Sequence, residues 1–138
     1  MTIQMEKKFK RDIRSLEHIF AFLREFQKRN DIQNCGALGL DLIVEELFTN
    51  MVKYNSENTN DILIHLERCE NKLILILNDF DVEPFDITKV SSVNTKQCLE
   101  ERAVGGLGIH LVKCIADELD YEYCDRTSKI TVVKKLDA

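Results

Sequence analysis

The sequence predicts an α/β (α+β) fold, with helices layered on a sheet. Apolar residues recur at helical spacing in three stretches, two early and one late. Two-residue alternation broken by tight turns marks two strand pairs, one before and one after the third helix. The resulting order is strand, helix, helix, two strands, helix, two strands. It fits within 138 residues, the length of one domain, taken as 1–138.

Met5 to Ile13 reads as a short edge strand with Phe9 and Ile13 apolar. Ser15 to Lys28 reads as an amphipathic helix, with Leu16, Ile19, Phe20, Leu23 and Phe26 on one face and Ser15 as cap. A turn-rich link, Arg29 to Gly36, leads to a second helix over Leu38 to Tyr54, whose stripe is Leu40, Ile43, Val44, Leu47, Phe48 and Met51. Asp61 to Arg68 and Lys72 to Leu77 form a hairpin around Cys69 to Asn71. Ile87 to Val104 has no periodicity and reads as a lid-like loop. A third helix runs from Leu107 to Leu119, followed by strands Tyr121 to Cys124 and Lys129 to Lys134. His18 and His65 read as surface residues.

Composition narrows the function. Hydrophobic residues make up 44% and charged residues 31%, as in a soluble globular chain. The net charge of −5 argues against wholesale binding to nucleic acid or to an anionic membrane. No apolar run is long enough to span a bilayer. The polar, basic start, Met1 to Arg11, does not resemble a secretory signal, so cytoplasm is the expected compartment. Five cysteines without C-x-x-C spacing suggest neither a disulfide framework nor a zinc site. They read as reduced, mostly small core residues.

Three stretches carry chemistry. Three of the five glycines fall in Gly105-Gly106-Leu107-Gly108, just before the third helix. A glycine turn opening a helix leaves N–H groups unpaired at the positive end of the helix dipole, which suits a phosphate. The other reading is a turn that only packs helix on sheet. On the second helix, Glu46, Asn50 and Lys53 stand at i, i+4 and i+7, along one side. A carboxylate and an amide one turn apart can share hard Mg²⁺, or the carboxylate can act as a base. Spacing alone favours a plain solvated face. Third, Asp79, Asp81, Glu83 and Asp86 follow a core strand, where one carboxylate can accept from an exocyclic amine such as adenine's. Arg102, before the glycines, can pair with a terminal phosphate.

Together these residues resemble the GHKL (Bergerat-fold) ATPases. Glu46-x-x-x-Asn50 resembles the N-box, Asp79 the adenine-contacting aspartate, and Gly105-Gly106-Leu107-Gly108 the glycine box. Pro84-Phe85-Asp86 and Leu99-Glu100-Glu101-Arg102-x-x-Gly-Gly-Leu-Gly-Ile-His-Leu-Val look most like the RsbW-type bacterial anti-sigma factor serine kinases. The resemblance implies a two-layer α/β sandwich with helices on one face of a mixed, mostly antiparallel sheet. It implies a single histidine-kinase-like ATPase domain using ATP and Mg²⁺. Glu46 would be the base toward an acceptor serine, Asn50 would hold Mg²⁺, and Asp79 would bind adenine with help from Thr131. Gly105, Gly106 and Gly108 would cradle phosphates under a lid carrying Arg102. The implied partners are a STAS-type antagonist and a sigma factor, and relatives often form homodimers. One departure stands out. The family expects Asp-x-Gly, whereas Asp79-Phe80-Asp81 puts a carboxylate at the glycine, and Asp81-Val82-Glu83 is an alternative register that also lacks it. This motivates a second reading, a nucleotide-gated protein-binding switch with little kinase activity.

Overall fold

A computed structural model describes residues 4–32, 35–55, 57–86 and 106–136. The elements are β1 (Gln4–Phe9), α1 (Leu16–Arg29), α2 (Cys35–Tyr54), β2 (Ile62–Cys69), β3 (Lys72–Phe80), α3 (Gly106–Ile115), β4 (Glu118–Cys124) and β5 (Thr127–Lys135). The strands form one sheet in the order β1-β2-β3-β5-β4. Every pairing among them is antiparallel.

Period-two patterning decides which face is covered. Ile62, Ile64 and Leu66 of β2, Leu73, Leu75 and Leu77 of β3, and Ile130 and Val132 of β5 are buried. They meet Ile19, Leu23 and Phe26 of α1, Ile43, Leu47 and Phe48 of α2, and Ile109 and Val112 of α3 in one core. Truncating a ring buried like Phe26 to alanine costs about 3–5 kcal/mol.

Two glycines bring α2 and α3 close. A Cβ at Gly39 would press on Ile115, and one at Gly108 would overlap the Glu46 carboxylate. Small residues at such contacts set how near two helices approach. The far end of α3 is closed by Lys134 Nζ, which donates to Ile115 O at 3.0 Å.

Several boundaries differ from the sequence reading. β1 stops at Phe9, because Asp12 accepts from Arg14 N at 2.9 Å and caps a 3₁₀ turn over Ile13–Ser15; Ile13 is exposed. β3 runs three residues further, to Phe80, so Asp79 lies in a strand rather than a loop. α3 ends at Ile115, and Leu119 belongs to β4, where Leu119, Tyr121 and Tyr123 alternate with exposed residues. β4 and β5 meet at a two-residue turn, Asp125-Arg126, with φ of 50° and 61°, the left-handed pair that suits a tight hairpin. Cys69, Cys114 and Cys124 are free thiols, but they are exposed, not core residues. The lid-like segment 87–104 lies outside the described residues.

Candidate functional site

The candidate residues gather where the C-terminal half of α2 faces the end of β3. Burial fixes each in turn. Asn50 follows Leu47 and Phe48 on the inward side of α2 and is itself buried. Its Oδ1 is buried and has no hydrogen-bond partner among the described residues. A buried amide oxygen without a partner costs about 1–3 kcal/mol, so it marks a place where a ligand supplies the missing contact. Glu46, one turn earlier, is half-buried against Gly108 in the first turn of α3. Burial raises its carboxyl above the ordinary range, the neighbouring Glu45 adds to this, and Lys53 opposes it. Lys53 is exposed at the end of the same row.

Asp79 shares the inward parity of Leu73, Leu75 and Leu77, which carries it into the core layer at 2% exposure. It is ion-paired with Arg11, whose side chain is 3% exposed. Arg11 also donates to Met51 O at 3.1 Å and to Asn60 O at 3.3 Å. Met51 lies in the last turn of α2, where cations suit the negative end of the helix dipole. Asn55 Nδ2 donates to the second Asp79 oxygen at 3.3 Å. Burial raises the Asp79 carboxyl, while the Arg11 hydrogen bond and charge pull it back.

Asn50, Tyr54, Asn55, Asp79, Glu83, Phe85, Tyr121 and Ser128 line a cavity of about 30 Å³. That is the share of roughly one water, against about 300–1,000 Å³ for common ligand pockets. Tyr54 and Phe85 stack with centroids 4.6 Å apart and planes at 26°. At 43% and 39% exposure they sit at its solvent side. The segment bearing Phe85 is tied to the β4–β5 hairpin. Phe85 N donates to Tyr121 Oη at 2.9 Å, Tyr123 Oη to Val82 O at 2.7 Å, and Val82 N to Arg126 O at 2.9 Å. A groove of about 500 Å³ between β1 and α1, lined by Met5, His18 and Phe22 among others, contains none of these residues.

Two assignments change. Thr131 pairs with Ile76 and lies on the outer face of the sheet, away from Asp79. The hydroxyl across from Asp79 is Ser128, which is buried. A step of one residue turned the expected side chain to the wrong face. Asp81 is exposed and held by Arg126 at 2.8 Å, so of these two aspartates Asp79 is the one that lines the cavity. Gly106 and Leu107 open α3, while Gly105 and Arg102 lie outside the described residues. Arg11, Tyr54 and Ser128 were not singled out from sequence. For Ser128 a signal existed, since it shares the parity of Ile130 and Val132.

The site thus combines a buried amide, a half-buried carboxylate against the first turn of α3 and an inward aspartate. Residues 9–134 match the histidine kinase-like ATPase domain. The chain belongs to this family, within the GHKL superfamily. A solved structure of the SiaB–SiaC complex from Pseudomonas aeruginosa is similar to this chain, with TM-score 0.63 and 15% identity. It covers 94% of this chain and 88% of that one. The histidine kinase AdeS of Acinetobacter baumannii is similar with TM-score 0.55 and 14% identity, covering 97% and 68%. At these identities the likeness is one of fold. No curated protein matches significantly. Among the described residues no helix is long and apolar enough to cross a membrane. None of their His, Cys, Asp and Glu side chains form a group of three fit for a metal. A magnesium ion bound through one amide and substrate phosphates requires no such group.

Proposed function

We propose that this chain is an ATP-dependent serine kinase of the RsbW type, which phosphorylates a STAS-type antagonist and also sequesters a sigma factor in the cytoplasm. The observation that carries the reading is the buried Oδ1 of Asn50, which lines the cavity and has no partner among the described residues. Asn50 would hold Mg²⁺, which neutralises phosphate charge when bound. Asp79 would accept from the adenine amine, and the first turn of α3, with Gly105 and Gly106, would receive phosphate oxygens. Lys53 and Arg102 would add positive charge at the phosphates, and Leu107 would anchor the turn. Glu46 would take the proton of the acceptor serine as its oxygen bonds to the terminal phosphorus and the bond to the ADP oxygen breaks. That the SiaB–SiaC structure is a two-protein complex supports a partner-binding role.

The test is Glu46→Gln with labelled ATP and a STAS-domain acceptor. Phosphorylation should fall about 10²–10⁴-fold while ATP binding holds. Unchanged turnover would remove Glu46 from the base role.

A second reading is favoured by the carboxylate in place of glycine at Asp81. In it the chain is a nucleotide-gated switch that binds its partner without transferring phosphate. Partner capture that depends on ATP but yields no labelled product would select this reading.

A further inference from the structure

Asp79 is buried among apolar strand residues, in a setting that favours the neutral acid. Among the described residues, Arg11 is the cation placed against it. Arg11 does not line the cavity; it sits behind Asp79, with three nitrogens committed to Asp79, Met51 O and Asn60 O. An ionised carboxylate only accepts, through about four lone-pair sites. Arg11 takes one and Asn55 another. The rest are left for a ligand that donates.

We propose that Arg11 is a positioning residue that sets the base preference of this pocket. By keeping Asp79 an acceptor-only carboxylate, it makes the site take a purine with an exocyclic amine and refuse the keto counterpart. The inference rests on the nucleotide reading above. A protonated Asp79 carries an O–H and donates to a keto oxygen as readily as it accepts from an amine. The ion pair removes that option. A keto purine held in the pose of the amine then meets oxygen facing oxygen inside a buried pocket, an unpaired contact worth roughly a tenfold loss or more, and pairing its N1–H with the carboxylate instead requires the base to shift. Arginine suits the role because its guanidinium stays charged when buried and its fork reaches three acceptors at once.

The experiment compares ATP with inosine triphosphate, which differs at the 6-position in presenting keto rather than amine. Calorimetry gives both affinities for wild type, Arg11→Met, Arg11→Lys and the Arg11→Met/Asp79→Asn double variant, with thermal melting as the control for folding. Wild type should prefer ATP by at least about tenfold. Arg11→Met should bring the two affinities within about threefold, and Arg11→Lys, which keeps a cation near Asp79 but lacks the three-way fork, should give a preference between those of Arg11→Met and wild type. If Arg11→Met does not fold, the double variant decides. It leaves no buried charge, and its amide both donates and accepts, so it should bind the two nucleotides within about threefold. Equal losses for both nucleotides in Arg11→Met, or a wild-type preference in the double variant, would overturn the inference and leave Arg11 a structural residue. Wild type binding neither nucleotide would instead overturn the nucleotide reading itself, and this inference with it.

Discussion

The two ends of the candidate site are built on opposite terms. At the Asp79 end, the buried carboxylate meets Arg11 and Asn55, Tyr121 Oη lies 3.4 Å from Ser128 Oγ, and Phe85 stacks on Tyr54. At the Asn50 end, a buried amide oxygen has no partner among the described residues and a half-buried carboxylate is pushed toward its neutral form. The first end is held together by its own contacts and keeps acceptor sites on Asp79 for a ligand. The second holds a buried polar atom unpaired among the described residues, a cost that a bound ligand can offset. Substitutions at the Asp79 end should therefore strike folding as well as base preference, and those at the Asn50 end should strike binding and turnover without a loss of stability.

The largest effect expected is on stability. Arg11→Met removes the partner of the buried Asp79 carboxylate, so folding must bury the charge unpaired or take up a proton, at a cost of about 3–5 kcal/mol. Urea denaturation should show this as a lower midpoint, and Arg11→Met/Asp79→Asn should recover most of it. A loss below about 1 kcal/mol for Arg11→Met would mean that the pair is not what holds this end together.

Asn50→Ala should behave in the reverse way. Mg²⁺–ATP affinity should fall about 10–100-fold, since a metal contact from a buried amide is lost. Stability should hold or rise, because the deleted oxygen is buried without a partner among the described residues, a burial that itself costs about 1–3 kcal/mol. Calorimetry with and without Mg²⁺, beside urea melts, separates the two. A large stability loss with unchanged affinity would place Asn50 among structural residues and erase the contrast between the ends.

The contrast also explains what the sequence could reveal. Glu46, Asn50 and Asp79 were singled out by their likeness to family motifs, since spacing alone favoured a solvated face for the first two, and Asp79, read as a loop residue, continues the parity of Leu73, Leu75 and Leu77. The helices and the β2–β3 hairpin were legible from their periodicity. Arg11 was not. Its partner is 68 residues away, and a buried arginine carries no local pattern that separates it from an exposed one. The Tyr54–Phe85 stack is likewise a contact between distant segments, and Thr131 was misplaced by a single step of strand parity. Periodicity shows facing, while pairing across the chain is settled only by the fold.

A smaller effect belongs to the ring stack. Breaking it with Phe85→Ala removes about 0.5–1.5 kcal/mol of aromatic contact. Because the cavity behind it has room for about one water, this variant should take up ATP several-fold faster in stopped-flow mixing. An unchanged association rate would show that the rings do not limit entry.

The subtlest prediction concerns charge around Glu46. A general base works ionised, so phosphorylation should rise with pH through the Glu46 value, which lies above its ordinary 4.5. Burial is the main cause of the rise, and repulsion from Glu45 adds to it. Glu45→Gln removes that repulsion, which stabilises the charged form, so the rising limb should move to lower pH. Lys53→Gln removes an opposing attraction and should move the limb to higher pH. The two displacements have opposite signs because the two charges do. A change of packing from either substitution would alter the plateau rate but would not make the limb move in two directions. If both variants shift it the same way, or neither does, then the titrating base is not Glu46, and the Asn50 end would hold a metal site without its catalytic carboxylate.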